Sequence, residues 1–123
     1  MDVSRVPRVL PAGLPSPPAF VDPNFRRAAD WLAAGTESAP AFLVIGAPYA
    51  GGSISRAHCD GAPEAIRRSL ERFSTFSSDF DTSLERLAVF DIGDLPRAIS
   101  VPVEEFQQHV AEVLLAVRAQ TDV

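Results

Sequence analysis

Residues 41–45, Ala-Phe-Leu-Val-Ile, form a run without a polar side chain, and the chain turns sharply after it. An uninterrupted apolar run this short suits a strand covered on both faces, as in a parallel sheet flanked by helices. Gly46, Pro48, Gly51 and Gly52 force a loop. Pro63 then opens a helical segment in which Ile66, Leu70 and Phe73 are spaced as a buried stripe, with Glu64 in the first turn where a carboxylate favours the helix dipole. Residues 74–83, rich in Ser, Thr and Asp, read as a loop. Leu87-Ala-Val-Phe90 is a second apolar strand, ending in Asp91-Ile-Gly-Asp94. Two strands joined through a helix predict a parallel βαβ unit with a right-handed crossover.

Two more helices flank this unit. Asp22 and Pro23 supply an N-cap and a first helical residue, Phe25, Ala28, Ala29 and Leu32 share one face, and Gly35 is placed to end the helix. Pro102 opens the other. There Val103, Phe106, Val110, Val113 and Val117 recur at alternating spacings of three and four, the strongest helical periodicity in the chain. Residues 1–21 carry prolines at 7, 11, 15, 17 and 18. That density opposes both helix and central strand and predicts an extended arm. A disordered leader is the preferred reading over an arm packed on a neighbouring subunit. The organisation expected is therefore an arm over 1–21 and one α/β domain over 22–123. Two parallel strands would leave both sheet edges unpaired, so the fold is expected to be incomplete on its own.

The 123 residues suffice for one modest domain, and 46% apolar content supports a core. A net charge of −5 argues against nucleic acid and anionic lipid as partners. No apolar run approaches the ~18 residues that span a bilayer, and the early prolines interrupt any signal-peptide core. The single cysteine, Cys59, excludes an internal disulfide and suits a reducing cytoplasm.

Three groups of residues could carry chemistry. The Gly46–Gly52 loop follows a strand, as phosphate loops do, but it matches neither dinucleotide nor P-loop spacing, and the chain has no lysine. His58-Cys59-Asp60 holds three potential metal ligands, yet adjacent residues seldom converge on one ion. They read as loop residues, with the roles of His58, Cys59 and His109 left undetermined. Asp91 and Asp94 lie where α/β folds place ligands. The preferred reading is a turn, with Gly93 in a conformation that other residues avoid.

Taken together, Ile45-Gly-Ala-Pro-Tyr49, Gly51-Gly52, Arg56, Gly61-Ala-Pro-Glu-Ala-Ile-Arg67 and Asp91-Ile-Gly-Asp94 resemble the N-terminal signature of the ureohydrolases, the arginase, agmatinase and formimidoylglutamase relatives. The resemblance covers roughly residues 40–117. It implies a three-layer α/β/α fold and hydrolysis of a guanidino, amidino or formimino C–N bond. It also implies a binuclear Mn²⁺ centre, whose bridged water is acidified to a hydroxide nucleophile. In the family the ligands come from G-G-D-H, D-x-H-x-D and D-x-D segments, and neither G-G-D-H nor D-x-H-x-D occurs here. No catalytic or metal-binding residue is therefore assigned, and the chain alone is expected to be inactive. Gly46, Pro48, Gly51, Pro63, Arg67, Asp91, Gly93 and Asp94 are read as scaffold. Arg67 is expected to bind Asp91 or Asp94, and Arg56 to lie near a substrate entrance. Ala50 stands where agmatinase-like members carry Asp, and His58 and Ala62 stand at usual glycine positions, which leaves the substrate class open. The expected partner is a second copy or a complementary chain that completes the sheet. The alternative function is a short non-catalytic interaction subunit of the same descent.

Overall fold

The computed structural model describes residues 23–36, 39–54 and 58–121. The proline-rich arm, the Asp22 cap and Arg56 lie outside the described residues. In chain order the elements are α1 (Ala28–Ala34), β1 (Phe42–Gly46), α2 (Ala62–Ser69), β2 (Phe76–Ser77), β3 (Thr82–Ser83), β4 (Val89–Asp94) and α3 (Val103–Arg118). Short 3-10 turns precede and follow α2.

β1 and β4 form a two-stranded sheet. Ala41 and Phe42 both donate to the Ala88 carbonyl, Leu95 donates to Gly46, and Ala98 donates to Pro48. Partner numbers rise together along both segments, so the pair is parallel. The α/β reading with a short parallel sheet holds. The strands are less covered than continuity predicted: Phe42 is 55% exposed, and residues 43–45 are half-buried.

The chain divides into two compact units. One comprises residues 45–63 and 92–121 of the described chain. Its core is Ile92, Leu95, Ala98, Phe106, Val113 and Val117. The stripe on α3 is realised through Phe106, Val113 and Val117, while Val103 at the helix start is exposed.

The other unit comprises residues 23–44 and 64–91. Ala28, Ala29, Leu32 and Val89 are buried there. α1 begins at Ala28 rather than Pro23. Arg27 pairs with Ser74 in an antiparallel bridge, the Arg26 carbonyl accepts from Thr75, and Ala28 donates to Phe73. This extended pairing holds the backbone that a longer helix would need. Gly35 closes α1 at φ 62°, donating back to Leu32.

Three more expectations change in this unit. The stripe on α2 is not buried: Ile66 and Phe73 are each 61% exposed, and the buried residue of the helix is Arg67. An ion pair, rather than apolar packing, holds that face. The 74–83 segment is not a plain loop but contains the β2–β3 hairpin, with Phe76 opposite Ser83. β4 also runs through Asp94, so Asp91-Ile-Gly-Asp lies within the strand rather than in a turn after it. Gly93 does take a left-handed φ of 101°.

Candidate functional site

The C-terminal ends of β1 and β4 bring three pieces of the signature to one point. A Cβ placed on Gly46 would overlap the carboxylate of Asp94, with Asp94 Cγ at 2.7 Å and Pro63 Cβ at 2.9 Å. Any larger residue at position 46 would displace that carboxylate or the proline. Gly46, Pro63 and Asp94 are thus one packing junction. Each residue type answers to a contact: absence of a side chain, a rigid ring at the helix start, and a short carboxylate.

Arg67 and Asp91 form the strongest polar contact. Arg67 Nε donates to Asp91 Oδ2 at 2.7 Å and Nη2 donates to Oδ1 at 2.8 Å, a two-pronged guanidinium–carboxylate pair. Both side chains are only 6% exposed. α2 supplies the arginine and β4 the aspartate, so helix and strand are tied across sequence-distant positions. Of the two carboxylates considered from sequence, Arg67 takes Asp91 with both oxygens.

Tyr49 follows the first loop and stacks on Phe106 of α3, with ring centroids 4.5 Å apart and planes 15° apart. Its hydroxyl donates to the Val101 carbonyl at 3.0 Å. Pro48 is buried, and Gly51 lies at a turn beside the Tyr49 ring. The loop after β1 is therefore pinned from the α3 side. Within it, the Ala50 and Ser53 N–H groups are taken up by the carbonyls of Ala98 and Ala50.

Of the three consecutive candidate ligands, His58 and Cys59 are exposed. Asp60 is buried and accepts from Nε of Arg97. Sequence spacing gave no hint of Arg97, which sits 37 residues away in an irregular segment. The two departures from glycine are locally free of strain. His58 has φ −83° and Ala62 has φ −60°, values open to any residue.

Among the described residues, no three His, Cys, Asp or Glu side chains are grouped so as to hold a metal ion. The donor set at the junction is one aspartate beside a proline ring, which does not fit a binuclear manganese centre. What the arrangement does chemically is fix a loop, a helix and two strand ends.

Fold and junction define the class as an α/β protein organised around the carboxyl ends of parallel strands. The arginase family model matches residues 40–121, and the chain belongs to the arginase family. Over 54 residues it is 43% identical to a formimidoylglutamase of Halalkalibacterium halodurans. That match covers 44% of this chain and 17% of the relative, so the chain spans a small part of the relative's length. No solved structure matches.

Proposed function

We propose that residues 22–123 are the N-terminal scaffold portion of a C–N hydrolase of the arginase family, and that this portion does no chemistry by itself. The observation that carries the reading is the use made of the signature residues. Gly46, Pro63 and Asp94 pack on one another, and Arg67 and Asp91 engage each other through both prongs of the guanidinium. A pair with each side chain 6% exposed builds structure rather than binding substrate. The formimidoylglutamase relative favours a formimino C–N bond as the substrate class, with Mn²⁺ supplied by segments outside this sequence. A single exposed cysteine fits a cytoplasmic setting. No helix among the described residues is long and apolar enough to cross a membrane.

The test is an assay of formimidoylglutamate hydrolysis with added Mn²⁺, run on this chain and on the chain co-expressed with a family segment carrying the Asp/His ligands. Turnover only in the combined sample supports the reading. Turnover by the chain alone contradicts it.

A second reading has its own observation. β1 carries Phe42 at 55% exposure, and α3 carries Leu114 and Leu115 at 49% and 67%. Apolar residues this exposed suit a non-catalytic subunit whose sheet edge and α3 contact another chain, either a copy of itself or a complementary one. Light scattering after size exclusion decides: a monodisperse monomer at high concentration contradicts this second reading.

A further inference from the structure

Three phenylalanines in the unit of residues 23–44 and 64–91 lie outside its core. Phe25 is 48% exposed, Phe76 38% and Phe80 80%. The rings of Phe25 and Phe76 are in contact, with centroids 6.1 Å apart. Backbone pairing explains that contact. Arg27 bridges Ser74 in antiparallel register, and Thr75 donates to the Arg26 carbonyl, so Phe25 falls opposite Phe76. Successive side chains along an extended segment alternate between faces. Phe25, Arg27, Ser74 and Phe76 therefore share one face. Thr75, on the other face, is 2% exposed, so the aromatic face is the outward one.

Charge is distributed unevenly along that face. Arg27 makes one end basic. At the other end the β2–β3 hairpin turns through Asp79-Phe80-Asp81, three exposed residues. Asp81 closes the turn at a left-handed φ of 44°, a conformation that aspartate tolerates. Arg27 lies about 7 Å along the strand from Phe25, and the hairpin tip lies about as far beyond Phe76. The three rings together expose on the order of 300 Å², comparable with the largest apolar patch of a typical monomer. A strip with an apolar centre midway between a basic and an acidic end is self-complementary. A two-fold axis crossing the strands at the Phe25–Phe76 pair sets ring against ring and brings each acidic tip over the basic end of the other copy, as an isologous contact requires. A guanidinium has five donors, so Arg27 can meet a carboxylate of another chain while keeping its contacts within its own.

We propose that this face joins two copies of the chain, with Phe25, Phe76 and Phe80 as the shared apolar centre and Asp79 and Asp81 of each copy paired to Arg27 of the other. The surface is separate from the β1 edge and α3, and it depends neither on the scaffold reading nor on the second reading above.

The test is sedimentation velocity on the full 123-residue chain and on charge-swapped variants. The parent is expected to dimerise. Asp79→Lys/Asp81→Lys should sediment as a monomer, because both ends of its strip are basic. Arg27→Glu should do the same, because both ends are acidic. An equimolar mixture of these two variants should dimerise again, since each tip then meets an end of opposite charge. Phe80→Ser should weaken the parent dimer about tenfold or more. That residue sits at an exposed tip, so the change bears on contact with another chain and not on the unit's core. A monomeric parent overturns the proposal. So does a Phe80→Ser dimer as strong as the parent, or a mixture that stays monomeric while both variants show the parent's thermal transition. A dimer that survives either charge swap alone belongs to another surface and equally overturns it.

Discussion

Arg67 holds a full charge at a position only 5% exposed, and Asp91 meets it with both oxygens. Removing one partner leaves the other as a buried unpaired charge, which costs about 3–5 kcal/mol. Arg67→Ala is therefore expected to lower the melting temperature by roughly 10 °C or more. An unchanged thermal transition would remove the anchoring role. Arg67→Met with Asp91→Leu should cost less than either single replacement, because it removes both desolvation penalties together. Gly46 makes a different kind of demand. Gly46→Ala drives a methyl group into the Asp94 carboxylate, and overpacking of this kind costs about 1–3 kcal/mol. Asp94→Ala should relieve part of that cost, so urea unfolding of the two single variants and the double should be non-additive. Strict additivity would mean that the two residues do not share a junction.

Among the elements, α3 was the most legible in the sequence, because its stripe repeats through four turns and its apolar side meets a real core. Val113 is 0% exposed and Leu115 67%. Val113→Ala is expected to destabilise by about 2 kcal/mol, and Leu115→Ala to stay within ~0.5 kcal/mol, as read by chemical denaturation. Similar losses at both sites would mean that the exposed side of α3 is also covered. α2 forms where its sequence signals place a helix, but its buried face differs for a physical reason. Ile66, Leu70 and Phe73 have helical spacing, but spacing reports which residues share a face and not what that face meets. Here the side turned inward is held by the charge of Arg67. The start of α1 and the β2–β3 hairpin were hidden for another reason. The first depends on pairing between residues far apart, Arg27 with Ser74, and the second on strands of two residues each, Phe76–Ser77 and Thr82–Ser83, too short to show alternation. The signature glycines and carboxylates could be read from residue order alone. Their contacts could not, since Arg97 reaches Asp60, and Tyr49 reaches Phe106, across stretches without periodicity.

For the whole molecule, membership of the arginase family rests on a match over residues 40–121, and the signature within that range is used for support. His58 and Ala62 take φ values open to any residue, so the backbone of this chain does not need glycine at either position. The central claim is that such a scaffold carries no metal centre of its own. Manganese electron paramagnetic resonance tests it most directly, because the sharp six-line signal of aqueous Mn²⁺ disappears when the ion is bound by protein. Titrating the 123-residue chain into Mn²⁺ at neutral pH should leave the signal at full intensity. Loss of the signal at two ions per chain would contradict the account.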